Sequence, residues 1–328
     1  MKPSTTIALS AQSVFKSYGG NEALHGVSFD VRKGEIFSLL GKNGAGKTTF
    51  IRIATGQLLP TSGTVIVSGH DVVSNADSVR ELISLVPQDA RVIKSSSALE
   101  FVQLYLALCG HSLADSRRRA FEGLNAVGIG SFAGVACNRL SGGNRHKLLL
   151  ACAISSNAPI LFLDEPTVGL DAQSRRELWK TLAGLRRKGR TIVLTTHYMD
   201  EAEVLSDRVA VIHNGVVAAI GSPQQIIAGT GFELRLDVDA SAAAGLRAPK
   251  GVERFEFGQK IRFVGAVREV EALAKRAVSM HLPISVARAN LEDAFVKLTG
   301  ETAATGEKPT GTASEKGAGD GRGGNGRG

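Results

Sequence analysis

Residues 41–48 (GKNGAGKT) have the residue types and the spacing needed to hold a triphosphate. They match the phosphate-loop pattern G-x-x-x-x-G-K-[ST] at every fixed position. The glycines let backbone amides approach phosphate oxygens closely. Lys47 is placed to reach the β and γ phosphates, and the Thr48 hydroxyl to ligate Mg²⁺. This stretch therefore predicts a nucleotide and a magnesium ion as ligands.

The residues around this loop predict the elements that must position it. The apolar residues 36–40 predict a buried strand before the loop, and residues 49–54 continue a helix that begins near Lys47. Gly56 then fits the end of that helix. A glycine turn that binds nothing is the alternative, but it does not account for strand, loop and helix in this order.

A second chemical pattern lies at the end of residues 159–165 (PILFLDE). A continuous apolar run predicts a parallel strand covered on both faces, and ligands gather at the carboxyl ends of such strands. Asp164 is placed to hold Mg²⁺ together with Thr48, and Glu165 to polarise the attacking water. A chance acidic pair after a core strand is the alternative.

Four further candidates are weak when each is taken alone. Residues 141–143 (SGG) open a predicted helix whose free amides form an anion site, but from these residues alone a plain N-cap is favoured. Gln88 and His197 follow predicted strands, where a solvated Gln and a structural His are the usual interpretations. Tyr18, beside a glycine turn, could stack on a purine or simply pack.

Length and composition predict a soluble globular protein with one large domain and a small one. The chain has 328 residues, of which 43% are hydrophobic and 21% charged. Cys109, Cys137 and Cys152 form no metal-binding spacing, so we expect reduced, mostly buried thiols of a cytosolic protein. No secretory signal is evident and no apolar run reaches about 18 residues, so any membrane spans must come from another chain.

The net charge is positive and has more than one interpretation. It amounts to +8, with a sequence pI of about 9.5, and could indicate nucleic acid, anionic lipid headgroups or nothing specific. Two basic clusters stand out, residues 117–119 (RRR) and 186–188 (RRK). Both lie in predicted helices, so a solvated helix face is the favoured explanation.

In this order, the motifs resemble the nucleotide-binding domain of ATP-binding cassette (ABC) transporters. The likeness covers roughly residues 7–229 and depends on the conjunction of phosphate loop, Gln88, Ser-Gly-Gly signature, Asp-Glu strand end, Gly-Leu-Asp loop and His197. It implies an α/β fold of the P-loop NTPase type. That fold has a mixed core sheet, an antiparallel β subdomain and an inserted helical subdomain at about residues 89–155.

The resemblance also implies a role for each matching residue. Glu165 is the implied catalytic base, assisted by His197, Lys47 and Gln88, and the implied Mg²⁺ ligands are Thr48, Gln88 and Asp164. The implied ATP-binding residues are Tyr18, Gly41, Asn43, Gly44, Ala45, Gly46, Lys47, Thr48, Thr49, Ser141, Gly142, Gly143 and Asp171. Ser141 and Gly143 would contact the γ-phosphate held by a second cassette, and Asp171 would lie at the dimer contact.

Two positions depart from the family pattern. Asn144 stands where the signature usually ends in Gln, which puts a ribose contact in doubt rather than the phosphate contacts. Lys42 replaces a common proline in the phosphate loop. Because the chain has one loop and one signature, the resemblance implies two cassettes per working unit, most simply a head-to-tail homodimer.

The C-terminal third predicts a smaller α+β unit at residues 230–300. Residues 232–238, 252–264 and 284–286 predict strands, with a helix before the last of them and a final helix from Asn290. This extension, and residues 195–203, resemble exporter ATPases of the daunorubicin drug-resistance type. Residues 301–328 are glycine-rich and polar, which predicts a disordered tail.

The resemblance implies an ATPase subunit of an ABC exporter at the cytoplasmic face of the membrane. A separate membrane subunit would dock in the groove between Gln88 and residues 95–105 and would determine the transported substrate. Two alternatives remain, a soluble ABC ATPase acting on nucleic acid or ribosomes and an importer ATPase. We find no sequence signal for base recognition and expect no nucleic-acid partner.

Overall fold

The computed structural model describes residues 6–88, 90 and 92–301. Their strands are, in chain order, β1 (Ile7–Tyr18), β2 (Asn21–Arg32), β3 (Ile36–Leu40), β4 (Ser62–Val67), β5 (His70–Asp71), β6 (Ile83–Val86), β7 (Ile160–Asp164), β8 (Thr191–Thr196), β9 (Arg208–His213), β10 (Val216–Gly221), β11 (Leu234–Asp239), β12 (Glu253–Phe257), β13 (Lys260–Gly265) and β14 (Ile284–Arg288). Their α-helices are α1 (Lys47–Ala54), α2 (Ala76–Leu82), α3 (Ala98–Leu108), α4 (Leu113–Ala126), α5 (Gly142–Ser155), α6 (Ala172–Arg187), α7 (Met199–Leu205), α8 (Pro223–Gly229), α9 (Val267–Ser279) and α10 (Leu291–Thr299).

The core sheet brings three strand ends to one edge. Its order is β10-β9-β3-β8-β7-β6, parallel throughout except for β10, which runs antiparallel to β9. Leu40 at the end of β3 lies opposite Thr196 of β8, while Thr195 lies opposite Asp164 at the end of β7. The segments that follow β3, β7 and β8 therefore start side by side, where ligands bind in open α/β sheets.

Both faces of this sheet are covered, which explains its apolar strands. Every residue of β3, β7 and β8 is buried. Because side chains alternate along a strand, Leu161 and Leu163 join the core that includes residues of α3–α6, whereas Phe162 joins the core that includes α1 and β1. The ends of β7 and β8 are thus anchored from two sides.

A separate antiparallel sheet has the order β2-β1-β4-β5. Strands β1 and β2 form a hairpin in which Tyr18 pairs with Asn21 across two glycines at positive φ. Phe29 of β2 stacks on Phe37 of the core sheet with ring centroids 5.0 Å apart. This contact fixes the hairpin beside the strand that leads into the phosphate loop.

The segment between β6 and β7 is helical and is capped by serines. Ser97 and Glu100 form a reciprocal capping box at the start of α3, and Ser112 caps α4 through the amide of Asp115. Helices α3, α4 and α5 pack on one another around buried residues such as Leu106, Leu124 and Leu148. These parts match the fold class that the sequence predicts.

Residues 231–289 form a compact unit of their own. Its antiparallel sheet has the order β12-β13-β11-β14, and α9 packs on this sheet through Val270, Leu273 and Ala277. The prediction of a single strand over residues 252–264 is wrong. The chain turns there at Gly258, whose φ is +59°, and forms the β12–β13 hairpin.

The domain bounds predicted from the sequence differ from the structure at the last helix, and the predicted tail is not described. Helix α10, which that division assigned to the C-terminal extension, belongs to the unit formed by residues 1–230 and contacts α7 and α8. The amide of Leu291 donates to Glu203 of α7 at 2.9 Å, and four of the helix's residues, Leu291, Ala294, Phe295 and Val296, are buried hydrophobics. The predicted disordered tail lies outside the described residues beyond Glu301.

Close packing between α4 and α5 predicts that replacing Gly123 will destabilise the protein. A Cβ at this position of α4 would lie 1.9 Å from Ser155 Oγ and 3.0 Å from the carbonyl oxygen of Ala151. Overpacking outweighs the better helix propensity of alanine, so we expect Gly123→Ala to lower the free energy of unfolding by about 1–2 kcal/mol in urea titrations. Gly134→Ala is the matched control, because no heavy atom lies within 4 Å of its added Cβ. Equal stability of both variants would contradict this packing.

Candidate nucleotide-binding and hydrolysis site

The phosphate loop joins β3 to α1 and is held by the elements around it. The amide of Gly41 donates to Thr196 O at 3.2 Å, so the loop starts from the end of β8 as well as β3. A Cβ on Gly41 would lie 2.3 Å from Ile212 O, and one on Gly46 would lie 2.6 Å from Ala23 O. Gly44 and Gly46 both have positive φ, +83° and +104°, but an added Cβ on Gly44 would meet no atom within 4 Å. Backbone conformation therefore explains Gly44, whereas packing explains Gly41 and Gly46.

Lys47 points its ammonium group back into this loop. Its Nζ donates to the carbonyl oxygens of Gly41 at 2.8 Å and Lys42 at 3.0 Å. It also lies 3.1 Å from Oε1 of Glu165, and the two side chains are 5% and 3% exposed. This oxygen of Glu165 is buried and accepts no well-aligned hydrogen bond among the described residues, so the ammonium is its charge partner.

Glu165 connects Lys47 to His197. Its second oxygen, Oε2, lies 2.6 Å from Nδ1 of His197, which donates the proton of this hydrogen bond because an ionised carboxylate can only accept. Glu165 is the first residue beyond β7 and has φ +53°, which is uncommon for a residue with a side chain. This conformation and the two partners fix the carboxylate between the loop and the end of β8.

Asp164 lies beside Thr48, where an oxygen-preferring cation fits. Asp164 Oδ1 accepts from Thr48 Oγ1 at 3.2 Å and from Thr195 Oγ1 at 2.5 Å. The carboxylate is 2% exposed, and among the described residues no Lys, Arg or His pairs with it. A buried carboxylate with only hydroxyl partners suits a hard cation such as Mg²⁺.

Thr195 is a site residue that the sequence analysis missed. Besides donating to Asp164, its hydroxyl accepts the amide of Glu165 at 2.9 Å. It therefore holds both Asp164, the last residue of β7, and Glu165, which follows it. The available signal was a pair of threonines at the end of the otherwise apolar run of residues 191–196 (TIVLTT).

The Ser-Gly-Gly segment forms the exposed start of α5. Ser141 caps the helix by accepting the amide of Asn144 at 3.2 Å, and it donates no hydrogen bond to the phosphate loop among the described residues. His146, one turn further on, lies 2.5 Å from the carbonyl oxygen of Pro166, just after Glu165. Burial lowers the pKa of His146, so the neutral ring donates this hydrogen bond. Within one chain, His146 thus ties α5 to the loop between β7 and α6 (residues 165–171, here called the acidic loop).

The remaining predicted residues lie around this centre rather than in it. Asp171 is exposed and caps α6, where the amide of Ser174 binds Oδ1 at 2.8 Å and holds the pKa of the carboxyl below its usual range. Tyr18 is 46% exposed at the end of β1, with Lys16 Nζ 5.1 Å from its ring centroid. Gln88 is exposed two residues past β6 and makes no hydrogen bond to Thr48 or Asp164 among the described residues.

Gln88 does line a pocket next to α5. Its volume is about 330 Å³. The other lining residues include Val92, Asn138, Arg145 and His146. The structure thus places Gln88 beside the helix that begins at the Ser-Gly-Gly segment.

Comparison with known proteins identifies the family. The family model described as "ABC transporter" matches residues 24–168. The chain is 35% identical to the daunorubicin/doxorubicin resistance ATP-binding protein DrrA of Streptomyces peucetius, over 92% of this chain and 96% of that protein. It is 32% identical to the linearmycin resistance ATP-binding protein LnrL of Bacillus subtilis, over 90% and 99% of the two chains. This chain belongs to the ABC transporter ATP-binding proteins.

Solved structures agree with this assignment. An ATP-binding subunit of an ABC transporter matches with a TM-score of 0.63 and 27% identity, over 68% of this chain and 93% of that one. The cassette MJ0796, solved as a dimer in a post-hydrolysis state with ADP and Pi, matches with a TM-score of 0.61 and 28% identity, over 65% and 98%. The predicted ABC fold is confirmed, and the chain is an ATPase of the ABC type. None of the helices in the described ranges is long and apolar enough to span a bilayer.

Glu201 is a second feature of this ABC ATPase that the sequence analysis left without a role. It lies on α7, four residues after His197, and is 0% exposed. Oε1 accepts from Trp179 Nε1 of α6 at 3.1 Å, and Oε2 accepts from Thr167 Oγ1 of the acidic loop at 3.2 Å. One carboxyl group thus joins the loop after Glu165, the helix capped by Asp171 and the segment after His197.

The pKa of Glu201 predicts a measurable pH dependence of stability. Burial raises this pKa above its ordinary value of 4.5, and the nearby Glu165 carboxylate raises it further, against hydrogen bonds from Thr196, Trp179 and Thr167. Above pH 4.5 the folded protein therefore holds a proton that the unfolded chain has lost, and stability falls as pH rises through this window.

Glu201→Gln removes this titration and isolates it. In urea unfolding at a series of pH values, the stability of the wild type minus that of the variant should fall with rising pH, by at most about 1.4 kcal/mol per pH unit. This stability difference should become constant once the pH exceeds the pKa of Glu201 in the folded protein. A difference that is constant or that grows with pH would show that Glu201 is not the buried acid described here.

Proposed function

We propose that two copies of this chain enclose two ATP molecules and that hydrolysis drives a separate membrane subunit to export its substrate. The observation that carries this proposal is the placement of Glu165 between Lys47 and His197, at the sheet edge where the phosphate loop begins. The relatives indicate the direction of transport, since DrrA and LnrL are named for resistance to daunorubicin/doxorubicin and to linearmycin. Removal of a toxic compound accounts for resistance, which favours export over import.

Binding of the nucleotide begins with an exchange of partners at Lys47. Its ammonium leaves the carbonyl oxygens of Gly41 and Lys42 and the Glu165 carboxylate for the β and γ phosphates. The phosphates also meet the loop amides, the start of α1 and the open surface at Gly44. Asn43, Ala45 and Thr49 belong to the same loop and helix start, and Tyr18 at the hairpin end is assigned to the adenine ring.

Hydrolysis then uses the carboxylate released by Lys47. Glu165 accepts a proton from water while the water oxygen forms a bond to the γ phosphorus and the bond to the ADP oxygen breaks. His197 donates to Glu165 from Nδ1, which keeps the carboxylate oriented, and its ring is 33% exposed and free to face the γ-phosphate. Thr48 and Asp164 would hold Mg²⁺, which neutralises charge on the phosphates.

The second copy supplies what one chain lacks. The Ser141 end of α5 is exposed, and its helix start points free amides outward, as an anion site requires. Residues 141–143 are therefore assigned to the γ-phosphate on the partner copy, and the exposed Asp171 to the contact between copies. The dimeric state of MJ0796 with ADP and Pi supports this arrangement.

Coupling to the membrane subunit is assigned to the pocket at Gln88. This pocket lies between the segment after β6 and the start of α5, so a partner element bound there would contact both. The chain would then reside at the cytoplasmic face of the membrane through its partner. Cross-linking of intact membranes followed by identification of the attached protein tests this assignment, and attachment to a ribosomal or nucleic-acid-binding protein instead would overturn it.

Replacing the base tests the assignment of Glu165. Glu165→Gln keeps the shape and the hydrogen-bond reach of the side chain but cannot take the proton, so we expect kcat for ATP hydrolysis to fall by about 10²–10⁴-fold while ATP still binds. A steady-state phosphate-release assay and a binding titration with ATP measure the two effects. Asp200→Asn is the control, because this acid lies close by on α7 but is 61% exposed. Hydrolysis by Glu165→Gln at the wild-type rate would show that another group is the base.

Removing the ammonium tests the phosphate loop itself. Lys47→Ala deletes a buried charge that would contact two phosphates, so we expect the Kd for MgATP to rise by at least about tenfold. Lys42→Ala, in the same loop, is the control and should change this Kd little, because its side chain is not assigned to the phosphates. An ATP dissociation constant that is equal in wild type and Lys47→Ala would contradict the loop's role.

A further inference from the structure

A pocket of about 490 Å³ lies on the side of the cassette away from the phosphate loop. Its lining includes Pro159 and Arg190, the residues just before β7 and β8, so it faces the amino ends of strands whose carboxyl ends hold the nucleotide site. Most of the other lining residues belong to the helices α4, α5 and α6. It is therefore a separate cavity from the hydrolysis site and from the pocket at Gln88.

The two basic clusters singled out in the sequence meet at this cavity. Arg119 comes from the cluster on α4, and Lys188, the residue after α6, comes from the other cluster. Their neighbours behave as solvated helix residues do, since Arg118 pairs with Asp115 and Glu122 on the surface of α4. Only Arg119 and Lys188 of the two clusters line the pocket, where Arg190 joins them.

Arg190 is a partly buried cation without a carboxylate partner among the described residues. Its terminal nitrogens donate to two neutral acceptors, the carbonyl oxygen of Ile154 at 2.9 Å and Oδ1 of Asn157 at 2.6 Å. Burial lowers the pKa of this guanidinium, and repulsion by Arg119 lowers it further. Partly buried charges in proteins are normally paired, so two guanidinium groups facing one cavity favour a bound anion.

Arg119 has hydrogen-bonding capacity left for such an anion. Its Nε donates to Asp115 Oδ2 at 2.5 Å, while its two terminal nitrogens make no hydrogen bond within the described part of the chain. Lys188 is exposed at the rim, and its ammonium likewise has no partner there. These groups offer a guanidinium edge and a point charge, which is the donor set that proteins use for phosphate.

Nearby negative charges reduce the positive electrostatic potential of the cavity without cancelling it. Glu122 itself lines the cavity and pairs with Arg118, while Asp115 pairs with both Arg118 and Arg119. The carboxyl ends of α4, α5 and α6 also lie at the cavity, each worth roughly half a negative charge. Arg190 binds one of those carbonyls, Ile154 O, so that helix end is partly neutralised already. The remaining charge suits one phosphate group better than a chain of them.

The floor of the cavity indicates what the phosphate is attached to. Its apolar lining, here called the floor, includes Ala126, Ile154 and Leu185, and the volume is that of a small-molecule site rather than of a single inorganic ion. We propose that this cavity, defined by Arg119, Lys188 and Arg190, binds a phosphate monoester with a compact apolar body. Arg119 and Lys188 contact the phosphate, Arg190 faces it, and the apolar floor takes the organic part.

Phenyl phosphate is a suitable probe, because it combines both features. We would titrate it into the full chain by calorimetry with saturating MgADP present, so that the nucleotide site is occupied. Phenyl phosphate should bind, inorganic phosphate should bind more weakly, and phenol should not bind measurably. The same titration without nucleotide is the comparison, and the Kd for phenyl phosphate should be equal in both. Binding that is seen without MgADP and lost when MgADP is added would place the probe at the phosphate loop and overturn the proposal.

Two surface variants locate the site. Arg119→Gln and Lys188→Gln should each raise the Kd for phenyl phosphate, Arg119→Gln by at least about tenfold because charge-assisted hydrogen bonds are lost. Arg117→Gln, on the same helix but outside the cavity, should leave the Kd unchanged. Lys188 is exposed, so its variant tests the proposal even if Arg119→Gln proves unstable. Unchanged Kd values in the Lys188→Gln and Arg119→Gln proteins would overturn it.

A lipid headgroup offers the same phosphate chemistry, and sedimentation distinguishes the two sources. Phosphatidylcholine vesicles with and without phosphatidic acid would be incubated with the wild type and Arg119→Gln. Binding to phosphatidic acid that depends on Arg119 would assign the cavity to a membrane phosphate, whereas binding of phenyl phosphate alone assigns it to a soluble ester. ATP hydrolysis without added ligand should be equal in wild type and Arg119→Gln, because the cavity lies outside the hydrolysis site.

Discussion

The buried ion pair between Lys47 and Glu165 is the interaction on which the site depends. Both side chains are almost fully removed from solvent, and an isolated buried charge would be strongly unfavourable. Each charge therefore holds the other in place, with His197 completing the arrangement on the far side of Glu165. In the proposed mechanism, a triphosphate entering the loop competes with Glu165 for Lys47, so that one event both binds the nucleotide and releases the carboxylate proposed as the base.

The parallel register of β3, β8 and β7 is what makes this pair possible. Lys47 and Glu165 are far apart in sequence, and they meet because Leu40, Thr196 and Asp164 end neighbouring strands at one edge. Thr195 fixes the edge further by binding both acids, and Glu201 ties the loops behind it to α6. The site is therefore built from strand ends and short loops, with the packed core on both faces of the sheet limiting their movement.

The motifs of the site could be predicted from the local sequence, whereas the residues that support them through tertiary contacts could not. The phosphate loop and the apolar run before Asp164 were recognisable because each combines a fixed pattern with a strand-like context. Thr195 was missed because a buried threonine in a strand carries no signal until its cross-strand partner is known. Glu201 was missed for a similar reason, since an acid in the first turn of a helix normally favours solvent and the helix dipole. Arg119 and Lys188, which line the second pocket, could not be told apart from their basic neighbours, because pocket lining depends on how three helices pack.

A structure of Glu165→Gln with MgATP tests the central claim most directly. The account predicts that Lys47 Nζ lies on the β and γ phosphates, that residue 165 lies about 3 Å from a water positioned in line with the γ phosphorus, and that Ser141 of a second copy contacts the same phosphate from the other side. A nucleotide-bound structure in which Lys47 still contacts the loop carbonyls and residue 165, or in which Ser141 lies far from every γ-phosphate, would contradict it.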